Sequence, residues 1–99
     1  MSRNRKAAPR TTPGIETVIA MYSSWWEALV AATTAEEAHS VCNRWSLAIH
    51  RFEEQLGDEE REMLRAKKVH EDAWSSADYS VLTGEQIVGL DRFCGVTSP

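Results

Sequence analysis

Cysteine is scarce in this 99-residue chain: Cys42 and Cys94 stand far apart and form no local pairing pattern. They supply no disulfide framework, and with no export signal in view the spacing predicts a reduced, cytoplasmic protein. Long hydrophobic runs are missing too. The longest purely apolar stretch, Ala28 to Ala32, is far too short to cross a bilayer, and residues 1–14 hold no apolar core of the kind that drives secretion. No membrane association is expected. The five glycines do not cluster, no Gly-rich loop follows a strand, and Ser, His and Asp fall into no nucleophile pattern. Phosphate cradles and common hydrolase arrangements are thereby excluded, and the chain reads as a non-enzyme.

What is present is helical punctuation. Thr12-Pro13, Thr34-x-x-Glu37 and Thr83-x-x-Gln86 each open a stretch whose apolar residues recur every three to four positions, and Gly57-Asp58 marks a fourth start. Such residues satisfy amide groups that the first turn leaves unpaired, and Pro at the first helical position loses nothing there. The fold class is therefore all-α. A chain this size buries roughly 60–65 % of its extended surface, and four tryptophans can supply much of one modest core without disulfide or metal.

Helix 1 is expected from Thr12 to Thr33, with Ile15, Val18, Ile19, Tyr22, Trp25, Trp26, Leu29 and Val30 in a stripe broad enough for two neighbours. Helix 2 is expected from Thr34 to Leu56, facing Ala38, Val41, Cys42, Trp45, Ala48, Ile49, Phe52 and Leu56 inward and ending at a left-handed Gly57. Helix 3 starts at Asp58, its acidic first turn favoured by the helix dipole, and presents Met63, Ala66, His70, Ala73, Trp74 and Ala77 before fraying near Ser80. A short helix 4, Thr83 to Cys94, turns Ile87, Leu90 and Phe93 or Cys94 inward and stops at Gly95.

Tight turns between antiparallel helices place residues equidistant from the turn at one height. Reflection gives the layers Ile15/Phe52/Met63, Val18/Ile49/Ala66, Tyr22/Trp45/His70, Trp25/Cys42/Ala73 and Leu29/Ala38/Ala77, nearly all apolar. The reading is an antiparallel three-helix bundle with a short fourth helix packed on it. Residues 12–99 form this single domain, and residues 1–11 form a flexible basic N-terminal arm.

Charge is divided unevenly. Arg3, Arg5, Lys6 and Arg10 give the first 13 residues a charge of +4 with no acid, whereas the rest carries 7 basic and 15 acidic side chains, a net −8. Six carboxylates, Glu53, Glu54, Asp58, Glu59, Glu60 and Glu62, crowd the helix 2–3 turn. That turn lies at the end of the bundle where helix 1 begins. A solvated helix start explains such a cluster, and a docking patch for a basic partner is the functional alternative.

Catalytic and metal signatures stay incomplete. His70 shares a layer with Tyr22 and Trp45, but no second carboxylate is evident on that inward face. Glu36-x-x-His39, His39-x-x-Cys42 and Asp91-x-x-Cys94 each pair two ligand types on one helical face without completing a site. No cofactor and no metal are expected. The leading reading is a small helical protein that binds another protein, of adaptor, accessory-subunit or inhibitor type such as phages and mobile elements deploy. Its instruments are the acidic patch and Trp26, since Trp is enriched at interface hot spots. Leu47 and Val88, off the inward stripes, hint at self-association. The rival is a nucleic-acid-associated assembly protein whose Arg3, Arg5, Lys6 and Arg10 contact phosphates. A distant third is an enzyme or metal protein built on His70, Cys42 and Cys94.

Overall fold

A computed structural model describes residues 13–95, and every described element is helical: α1 (Pro13–Ala31), α2 (Ala35–Glu54), α3 (Asp58–Ala66), α4 (Val69–Ser76) and α5 (Gly84–Cys94). A single 3₁₀ turn, Tyr79–Val81, separates α4 from α5. The basic arm, with Arg3, Arg5, Lys6, Arg10 and the Thr12 cap, lies outside the described residues.

The caps act locally and fix the helix starts. Thr34 accepts from the Glu37 amide at 3.0 Å, while the Glu37 carboxylate reaches past the cap to accept from the Thr33 amide at 2.9 Å. These bonds to Thr33 hold the Glu37 carboxyl below the usual carboxylate range. Thr83 and Gln86 form a full reciprocal box, with the Gln86 amide donating to the Thr83 hydroxyl and the Thr83 amide donating to Gln86 Oε1. Gly95 ends α5 in the left-handed region at φ 78°.

Two starts and stops differ from the sequence reading. Gly57 has φ −71° and ψ 165°, so it is extended and leads into α3 instead of closing α2 in a left-handed turn. The Arg61 guanidinium takes over part of that closing role by donating twice to the Leu56 carbonyl, at 3.2 and 3.0 Å. The expected third helix is also two helices. Lys68 adopts φ 54° and ψ 43°, a left-handed conformation costing an L-residue about 1–2 kcal/mol, and this interrupts the helix between Ala66 and Val69. The interruption resets the helical phase: Leu64 and Val69 are buried, whereas Ala66 is exposed and Met63 only half-buried.

The core joins Ile15, Val18, Tyr22, Trp25 and Leu29 of α1 to Ala38, Val41, Cys42 and Ile49 of α2, with Leu64, Val69, Leu82 and Leu90 closing it. α1 packs against α2, α3 and α4, and α5 lies chiefly on α2. α5 runs in the same direction as α2, because Glu85 accepts from the Ala35 amide at 2.7 Å and Phe93 meets Trp45 at 6.1 Å. The crossing is close. A methyl group at Gly89 would stand 2.5 Å from the Ala35 carbonyl oxygen and 2.8 Å from the His39 nitrogen.

The inward face of α5 is Gln86, Gly89 and Leu90, with Phe93 half-buried. Ile87 and Cys94, both read as candidates for the inside, are exposed. Gln86 takes the inward position at the C-terminal end of α1. Its side-chain amide donates to the Val30 and Ala32 carbonyls at 3.0 and 2.9 Å, occupying groups that a helix end leaves free.

Candidate functional site

The middle of the bundle is aromatic. Trp25 stacks on Trp45 at 4.9 Å, Trp74 lies 5.0 Å from Trp25, and Tyr22 lies 5.0 Å from Trp45. All four tryptophans join this cluster through Trp26, which meets Trp25 at 5.7 Å and Tyr79 edge-on at 5.6 Å. Such edge and offset contacts suit the ring quadrupoles and add to the area they bury.

Beside this cluster, Tyr22 on α1 is hydrogen-bonded to His70 Nδ1 on α4, and His70 Nε2 lies 2.6 Å from Glu53 Oε2 on α2. A carboxylate beside Nε2 favours the neutral tautomer with its proton there, which leaves Nδ1 to accept from the Tyr22 hydroxyl, while the approach to Glu53 Oε2 is close but not aligned as a hydrogen bond. One side chain thus ties three helices. Burial, reinforced by the Glu53 charge and the Tyr79 ring, pushes the Tyr22 phenol up to about 12, while its hydrogen bond with Trp74 pulls the other way. The Tyr22 oxygen therefore stays protonated at neutral pH, holding the imidazole in one tautomer.

Glu53 is the carboxylate that sequence reasoning did not place at His70. It stands two helical turns beyond Trp45 on α2, outside the Tyr22/Trp45/His70 layer. Eight residues of helix rise about 12 Å, so the contact needs the reach of the His70 and Glu53 side chains together with the break at Lys68, which equal-height reflection does not include.

The other acidic residues are spread over the α2–α3 turn. Glu60 Oε2 accepts from the Gly14 amide at 3.2 Å, so a carboxylate of α3 caps the first turn of α1. A methyl group at Gly14 would approach that oxygen to 2.6 Å, so the Glu60 side chain would have to shift to admit one. Glu62 pairs with Arg65 at 2.5 Å on the exposed face of α3. Glu54, Asp58 and Glu59 are exposed. The patch is thus part scaffold, through Glu53 and Glu60, and part solvent-facing charge.

A groove of about 730 Å³ runs between α1 and α4. Ile15, Ile19, Trp25 and Trp26 wall it on the α1 side, and Ala73, Ser76 and Ala77 present small side chains opposite. Of the broad apolar stripe on α1, one row is buried and the second is not: Ile19 is 46 % and Val30 40 % exposed, and Trp26 is half-buried. The eight-residue α4 covers only part of that second row. Leu47 and Val88 are exposed elsewhere, at 59 % and 45 %.

The cysteines are free thiols. Buried Cys42 accepts from the Trp25 indole at 3.3 Å, and its thiol is pushed up by burial; Cys94 is exposed. Among the described residues no three His, Cys, Asp or Glu side chains converge as a metal-binding group, and no helix is long and apolar enough to cross a membrane. Comparison with family models, curated proteins and solved structures found no match.

Proposed function

We propose that this chain is a non-enzymatic protein-binding module of the adaptor, accessory-subunit or inhibitor type, working in the cytoplasm. The observation that carries the reading is the second apolar row of α1, Ile19, Trp26 and Val30, of which Ile19 and Trp26 line a groove and Ile19 and Val30 are exposed. A helix with a stripe this wide is built for neighbours on two sides, and here the second neighbour is incomplete. A partly exposed tryptophan beside exposed apolar side chains is the kind of anchor in which interface hot spots are enriched.

The five helices are read as a three-legged antiparallel bundle. α3 and α4 make one bent leg beside α1, α5 is the short added helix, and the basic arm precedes them. Tyr22, His70 and Glu53 support this reading as structural residues, since their contacts link α1, α4 and α2 and the phenol is buried.

The test is affinity capture from native cells, run with and without nuclease, using the wild type beside Ile19→Asp. Ile19 is exposed, so this variant should keep its helicity and melting temperature. The expected result is a stoichiometric protein retained by the wild type and lost from Ile19→Asp. Recovery of nucleic acid instead, abolished by deleting residues 2–10, would shift the function to the arm and overturn the reading.

A further inference from the structure

The α1–α4 groove has a chemical character that narrows what fits it, given that the chain is a protein-binding module as proposed above. Its walls are apolar, but its rims are acidic: Glu27 on α1, Asp72 on α4 and Asp78 just beyond α4. Glu27 and Asp72 are exposed, and neither is paired with a cation among the described residues. Asp78 Oδ1 accepts from the Ser80 amide and hydroxyl. The one basic group on the rim is Lys67, at the Ile15 end, beside the break in the helix.

We propose that the groove is a docking site for a single amphipathic helix of a partner protein, with a large apolar stripe flanked by lysine or arginine. The described elements are all helical, with no strand edge for an extended peptide to join, and a groove between two helices matches the helix-in-groove mode of recognition. Ile15 to Trp26 spans about 16 Å, so about three turns of partner helix match the groove. The small Ala73, Ser76 and Ala77 let a partner backbone approach α4, while Ile19 and Trp26 offer ridges for its apolar side chains to straddle.

Charge decides the flanks. Acidic rims repel an acidic helix and attract a basic one, setting both partner choice and encounter rate. The same argument disfavours a second copy of this chain, because two bodies of net −8 would bring acidic rims together. The rims also orient the occupant. A helix N-terminus carries partial positive charge, which favours the Glu27 and Asp78 end, and the partner C-terminus then falls beside Lys67. Such a helix runs antiparallel to α1.

The experiment displays a library of 14-residue helical peptides with leucine, isoleucine or phenylalanine fixed at i, i+3, i+4 and i+7 and flanks randomised among charged and polar residues. Selection is on the full chain at physiological salt, with counter-selection on Ile19→Asp. The expected binders carry net positive flanks. Their affinity should fall at least tenfold on the double variant Glu27→Lys/Asp72→Lys, and peptides with charge-reversed flanks should gain on it. Enrichment of acidic or uncharged flanks, absence of any Ile19-dependent binder, or indifference to the double variant would overturn the proposal. Sedimentation showing a dimer abolished by Ile19→Asp would overturn it in favour of a second copy. A cellular partner that needs Ile19 but ignores Glu27→Lys/Asp72→Lys would overturn the basic-helix occupant and leave the protein-binding reading standing.

Discussion

Tyr22 is where burial, hydrogen bonding and titration meet in one side chain. Its phenol is buried and neutral in the fold, at about 12 against 10.0 for an ordinary tyrosine. A group raised in the folded state binds its proton more tightly there than in the unfolded chain. Its stabilising contribution is therefore complete below pH 10 and is lost as pH rises toward 12. Denaturant unfolding of wild type and Tyr22→Phe at pH 8, 10 and 11.5 should show the wild-type advantage shrinking across that window. A gap between the two proteins that stays constant to pH 11.5 would contradict the buried-phenol account. Turn arithmetic brings Tyr22 and His70 to one height because both lie at fixed distances from tight turns. Glu53 was not legible that way, since its contact depends on the reach of two side chains and on the break at Lys68, neither of which enters a reflection about a turn. Ile19 and Trp26 were legible as apolar, yet periodicity alone does not say which row of a wide stripe stays uncovered.

At the scale of elements, helix starts were written in local chemistry and helix breaks were not. Thr34, Thr83 and Gly95 act on amides or dihedrals within a few residues, so their roles stand in the sequence. The split at Lys68 has no Gly or Pro to announce it; tertiary packing of Leu64, Val69 and His70 imposes it on an ordinary lysine. The direction of α5 was equally hidden, because it rests on the backbone approach at Gly89 and the reach of Gln86 to the end of α1. Two glycines of α5 make this testable. Alanine is favoured over glycine in a helix by about 1 kcal/mol, and Gly84 has open space around it, so Gly84→Ala should be neutral or stabilising. At Gly89 the same propensity gain meets the α2 backbone, which cannot move aside as a flexible side chain does. Gly89→Ala should lose about 1–3 kcal/mol, the usual range for overpacking, in urea melts. If the two variants behave alike, α5 does not cross α2 at Gly89.

For the whole molecule, charge distribution matters more than net charge. The four cations of the arm and the net −8 of the remainder belong to one chain, so competition between the arm and an external basic ligand for the acidic surface is testable. The arm precedes α1, whose first turn Glu60 caps at Gly14, beside the exposed Glu54, Asp58 and Glu59, and a short covalent link puts tethered charges at an effective concentration on the order of millimolar. The arm has basic residues but only Ala7 and Ala8 as apolar ones between Ser2 and Arg10, so it can neutralise acidic rims without filling an apolar groove. Competition of this kind is electrostatic and screened beyond roughly 10 Å at 0.1 M salt. Deleting residues 2–10 should therefore raise affinity for a basic helical peptide severalfold at low salt, with the gain fading as salt increases. Titration by tryptophan fluorescence reads both limits, since Trp26 lines the groove. Equal affinities of full-length and shortened chains at low salt would show that the arm leaves the acidic surface free, and partner choice would then rest on the groove alone.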